Sequence, residues 1–148
     1  MEAILKRTLR AICVVIVAFI VVGMLTACSS AGSATPAVGT ISIDSVTPNS
    51  DLQDGTTYTF TVTVTYSLNT GQGEINLGFN NGSAVSSYII IDSRIVDSGN
   101  ATIDIAVDAA AKDWGTEGDF KAYANISEFP HPDSWSPLDS DRMVLTLQ

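Results

Sequence analysis

Tyr58-Thr59-Phe60-Thr61-Val62-Thr63-Val64-Thr65-Tyr66 alternates without a break between a large apolar side chain and threonine. A strand sends successive side chains to opposite faces, so Tyr58, Phe60, Val62, Val64 and Tyr66 share one face. The intervening threonines keep the other face wet, and their β-branching favours extended backbone. This stretch predicts a half-buried β-strand and sets the period by which its neighbours are read.

Working outward, the same period recurs. Ile41 and Ile43 start a first strand near 40–46, closed by Thr47-Pro48-Asn49-Ser50. Ile75, Leu77 and Phe79 alternate in a third, ended by Asn80-Asn81-Gly82. Tyr88-Ile89-Ile90-Ile91 marks a fourth near 86–92, apolar on both faces at its middle and read as core plus a sheet edge ahead of a docking edge, where an exposed Ile90 would offer strand addition. Ile103, Ile105 and Val107 line a fifth, Phe120, Ala122, Ala124 and Ile126 a sixth, and Met143, Leu145 and Leu147 a seventh. Turn-forming clusters at 52–56, 69–73 and 97–100 separate them. Asp108-Ala109-Ala110-Ala111-Lys112-Asp113-Trp114 is the one helical candidate, a turn or two on an Asp cap, with Trp114 expected to dock it in the core. Seven short strands without crossover helices predict an all-β, seven-stranded antiparallel sandwich over 40–148.

The N-terminus is a different kind of sequence. Lys6, Arg7 and Arg10 precede an unbroken apolar run from Ala11 to Leu25, which ends in Leu25-Thr26-Ala27-Cys28. The run is long for a signal-peptide core and short of the roughly 20 residues of a spanning helix. Leu25-Thr26-Ala27-Cys28 resembles the lipobox of bacterial lipoproteins. That resemblance implies diacylglyceryl transfer to the Cys28 thiol, removal of a signal peptide at 1–27, and acyl chains (palmitate among them) holding the mature end in a membrane. It also implies an outer-membrane address in a two-membrane cell, because Ser29 rather than Asp follows Cys28. Residues 28–39 are small, polar and uncharged beyond the cysteine, a lipid-anchored flexible linker spanning about 20 Å on average.

The domain itself resembles the immunoglobulin-like or fibronectin type III sandwich. The long second strand, the short segment at 108–114 and Gly118-Asp119-Phe120-Lys121-Ala122-Tyr123-Ala124 carry the likeness. Phe120 stands where that family has its corner tyrosine, and Ala122 stands where it has a cysteine. The resemblance therefore implies a sandwich without the inter-sheet disulfide, and fold likeness alone transmits no function.

Charge and composition narrow the classes further. The chain has 148 residues and a net charge of −9. Residues 1–27 hold three of the seven bases and one of the sixteen acids, leaving four bases against fifteen acids in the rest. Such a surface disfavours nucleic acid as a partner. One His and two Cys are too few for a zinc cluster, and no phosphate loop, dinucleotide fingerprint or Cys-x-x-Cys is present. Neither a cofactor nor catalysis is expected. Asp133, Asp139 and Asp141, with Asp113, Glu117 and Asp119, match no EF-hand spacing and read as solvating charge on exposed loops rather than a Ca²⁺ site.

The segment 129–142, with three of the five prolines, is the candidate recognition loop, and Phe129, His131 and Trp135 are its candidate contact residues. Trp135 reads first as a lid folded over the open end of the sandwich, with recognition second. The reading is a lipid-anchored cell-envelope protein whose domain is a non-catalytic binding or structural module for another envelope protein. The alternative is a glycan-binding module, which would expose Tyr123, Phe129 and Trp135 in one plane.

Overall fold

In the computed structural model, which describes residues 36–132 and 136–148, the alternating stretch at 58–66 is half of a much longer element. The described residues form five antiparallel strands: β1 (Gly39–Thr47), β2 (Thr57–Phe79), β3 (Ile89–Ala110), β4 (Phe120–Phe129) and β5 (Asp139–Leu145). The expected second and third strands are one strand, β2, and the expected fourth and fifth are one strand, β3. The reason lies in the register. The two turn clusters at 69–73 and 97–100 face each other, with Leu68 opposite Gly99 and Gln72 opposite Asp97. They therefore bend two paired strands together instead of reversing either one. Gly71 (φ 69°) and Gly99 (φ 130°) take the left-handed backbone that this irregularity needs.

The bend also changes which residues face inward. In β2 the core-forming apolar side chains are even up to Leu68 and odd beyond the bend, at Ile75, Leu77 and Phe79. In β3 the core-facing positions are odd from Ala101 to Ala109, whereas beyond the bend Val96 and, at a bulge in the ladder, Ile91 pack against the core. Each half of β2 consequently has its own neighbours. The first half pairs with β1 and with the second half of β3, and the second half pairs with β4 and with the first half of β3. β5 pairs with β4.

The result is an all-β antiparallel sheet folded over one core and nearly closed as a barrel. One gap lies between the outer edges of β1 and β5, and carboxylates span it. Asp139 Oδ2 accepts the Ile41 N–H at 2.9 Å, and Asp141 Oδ2 accepts the Ile43 N–H at 2.8 Å. β5 begins at Asp139, earlier than expected, so these two acids stand on a strand and satisfy buried-edge donors instead of solvating a loop. Their role corrects the reading of both residues as loop charge.

The core is centred on Phe60, Phe79 and Phe120. Phe79 lies 4.8 Å from Phe60 and 5.6 Å from Phe120, ring centroid to centroid. Leu52, Ile75, Leu77, Ile105 and Ile126 are fully buried around them. Asn80, also fully buried, ties the 80–88 loop to the start of β4. Its side chain donates to the carbonyls of Val85 (3.1 Å) and Asp119 (2.7 Å) and accepts from the Lys121 N–H (2.6 Å). A group with every hydrogen-bonding atom used in this way fixes a loop that apolar packing alone would leave loose.

The expected helix at 108–114 does not form. Asp108, Ala109 and Ala110 continue β3 opposite Thr59, Tyr58 and Thr57, and only a 3-10 turn follows at Gly115–Glu117. Ladder pairing and burial of Ala109 and Ala111 outweigh alanine's helix propensity. Trp114 is half-buried at the surface with the Lys112 ammonium 5.6 Å from its ring, so it is not a core residue.

Candidate functional site

The outer face of the half-sheet made by β3, β2, β4 and β5 carries a row of aromatic, amide and charged groups. On β4, alternate positions Tyr123, Asn125, Ser127 and Phe129 share this face. Cross-strand pairing places Arg142 beside Tyr123, Asn76 beside Asn125, and Ser93 beside Asn76. Tyr88, just before β3, lays its ring 4.6 Å from that of Tyr123. The Arg142 guanidinium sits 5.4 Å from the first ring and 5.8 Å from the second. A cation at that distance is attracted by both ring faces.

Hydrogen bonds continue the row across the sheet. Asn125 Nδ2 donates to the Tyr123 hydroxyl at 3.3 Å, and Asn76 Nδ2 donates to Asn125 Oδ1 at 3.3 Å. Ser93 Oγ donates to Asn76 Oδ1 at 2.5 Å. Asn76 and Asn125 are buried beneath the exposed groups. Asparagine is poor in strands on propensity alone, so two of them paired in the middle of a sheet act as a positioned polar floor.

The candidate loop is shorter than expected, because Phe129 ends β4 and Asp139 begins β5. Phe129 is half-buried and meets the His131 ring edge-on, 5.9 Å away at 83°. His131 is anchored at both nitrogens: Nδ1 lies 2.9 Å from the Glu128 carbonyl, and Nε2 lies 2.8 Å from Glu74 Oε2 on β2. Phe129 and His131 thus come together, and Glu74 joins them from 57 residues away. Phe129 and Tyr123 share a face but stand about 20 Å apart along the strand. Trp135, Asp133 and Cys28 lie outside the described residues. Tyr88, Arg142, Glu74 and the two asparagines were missed from sequence. Outward-facing Asn76 and Asn125, each on an apolar-alternating strand, were the available signal.

Elsewhere, a cleft of ≈230 Å³ lies between Trp114 and the end of β5, lined also by Lys112, Asp119 and Leu147. The Trp114 Nε1 is buried there with no hydrogen-bond partner among the described residues. Among those residues, no three His, Cys, Asp or Glu side chains converge as a metal-ligand group, and no helix is long and apolar enough to cross a membrane. No known protein family matches the chain, and no curated protein is significantly similar to it.

Proposed function

We propose that this is a lipid-anchored cell-envelope protein whose β domain is a non-catalytic binding or structural module. The observation that carries the reading is the N-terminal order of three bases, a fifteen-residue apolar run and Leu25-Thr26-Ala27-Cys28. Two or more acyl chains hold a protein at a bilayer stably, whereas one chain binds reversibly. An acidic domain on a short uncharged tether is repelled by anionic headgroups, which favours a module projecting away from the surface.

The order of strand halves supports an immunoglobulin-like or fibronectin type III-like reading of the fold. β1, the first half of β2 and the second half of β3 would form one layer. The first half of β3, the second half of β2, β4 and β5 would form the other. The seven expected strands then correspond to seven segments, four of them joined in pairs through the bends.

The test is to express Cys28→Ala beside the parent chain. The parent should fractionate with membranes, incorporate labelled palmitate and lose residues 1–27, whereas the variant should take up no label and keep its N-terminal segment. An uncleaved, unlabelled parent chain in the membrane would contradict the proposal.

The Tyr88–Tyr123–Arg142 cluster favours glycan binding as a second reading, with the aromatics on the sheet face rather than in the 129–142 loop. A sugar ring stacks on an aromatic face, and Arg142 suits an acidic substituent. Loss of glycan-array binding on Tyr123→Ala would support it.

A further inference from the structure

We infer that the free edge of β3 is a self-association surface, through which a second copy of this chain adds antiparallel across Ile90–Val96. Among the described residues β3 pairs only with β2, and no other described strand meets its outer edge. Near one end of that edge Ile89, Ile90 and Ile95 are 48%, 45% and 55% exposed. An exposed apolar strand edge is a template for another strand, because its backbone donors and acceptors are already aligned.

The occupant is set by the pattern of the segment Ile90-Ile91-Asp92-Ser93-Arg94-Ile95-Val96. It is self-complementary about Ser93. In antiparallel pairing of two copies on a two-fold axis at Ser93, Asp92 of each copy faces Arg94 of the other. Beyond this charged centre the exposed Ile95 of each copy lies toward the exposed Ile90 of the other, where β3 carries one extra residue, the core-packed Ile91, relative to β2. Asp92 and Arg94 share one face of the strand, since they pair with Leu77 and Ile75, so both cross-copy ion pairs form on that face. Within one chain the same two side chains are already 2.6 Å apart, half-buried and exposed respectively, and thus stand where a second pair would meet them.

The other half of the same edge forbids the arrangement. There the outward side chains include Asp104 and Asp108, so a second copy centred between them would set acid against acid. An isologous contact confined to the isoleucine half is self-limiting: it closes as a dimer and does not propagate. The surface of one strand pair is small, so association is concentration-dependent. This inference does not depend on how the N-terminus is anchored.

Directly opposed residues of an antiparallel pair lie about 4.5–5.5 Å apart at Cα, within the span of a disulfide. The full-length protein carrying Ser93→Cys is oxidised mildly in the cells that express it, beside the parent chain and a Thr102→Cys control on the acidic half of the strand. A covalent dimer several-fold above both controls is expected. The register is then tested with two differently tagged chains, Asp92→Arg with Ser93→Cys and Arg94→Asp with Ser93→Cys. Each alone sets like charges opposite each other and should lose the dimer. Co-expressed, they restore opposite charges across the interface while the pair within each chain remains broken, so the mixed dimer should return. No dimer above the controls, equal trapping at position 102, a crosslink to a different protein, or no recovery in the mixture would overturn the inference.

Discussion

Two edges of this sheet meet the same problem differently. At the β1–β5 gap, edge donors that would otherwise face solvent or another chain are taken by Asp139 and Asp141 of the same molecule. Along β3, no described strand or carboxylate covers the edge, and three isoleucines stand exposed beside it. The first edge is closed by charge-assisted hydrogen bonds within the chain, and the second is left for a partner. Acidic residues thus do structural work at one edge, while at the other they restrict pairing to one half of a strand.

The largest effect lies beneath both edges. Phe79 pairs with Ile89 of the open side and Ala122 of the closed side, and its ring packs between Phe60 and Phe120. Phe79→Ala should cost about 3–5 kcal/mol in chemical denaturation, and a loss below about 1 kcal/mol would refute this packing. Next comes the closed edge. Asp139→Ala removes the acceptor from the Ile41 N–H and should cost about 1.5–3 kcal/mol, with a new tendency to associate through β1. Ile90→Lys on the open edge should change stability by no more than about 0.5 kcal/mol while abolishing the Ser93→Cys crosslink. A large stability loss would mean the residue is packed rather than presented.

The smallest effect concerns the exposed carboxyl of Asp51. Hydrogen bonds from Gln148 Nε2 (3.0 Å) and then Ser50 Oγ (3.1 Å) hold its pKa below the ordinary value. A depressed folded-state pKa stabilises the fold above the unfolded value near 3.9, and that contribution fades as pH falls through the folded pKa. Gln148→Ala should move the Asp51 titration, followed by NMR, upward toward the ordinary value; an unmoved titration would show that the contact is not formed in solution.

The alternation at Tyr58–Tyr66 made the strand class legible, because burial of one face imposes a period of two that no other element has. Strand number was not legible. Asn69-Thr70-Gly71-Gln72-Gly73 has the composition of a reversing turn, and only its pairing with 97–100 makes it a bend. Asp108–Trp114 misled for a related reason: local propensity favoured helix, and the partner strand that overrides it lies 49 residues away at Thr59. At the site, Phe129 and His131 were visible as unusual loop residues. Glu74 and Arg142 were not, since neither is exceptional until the register sets it beside His131 or the tyrosine pair. Asp139 and Asp141 looked like surface charge because their targets, two backbone N–H groups, have no sequence signature.

The contrast between the edges is tested most directly by residue-resolved amide hydrogen exchange of the full-length protein at low and high concentration. Ile41 and Ile43 amides should exchange slowly at both concentrations, protected within one chain. Amides along Ile90–Val96 should gain protection as concentration rises, and those at Thr102–Asp108 should not. Rapid exchange at Ile41 and Ile43, or protection of the isoleucine segment that is indifferent to concentration, would contradict a molecule with one edge closed and the other open to a second copy.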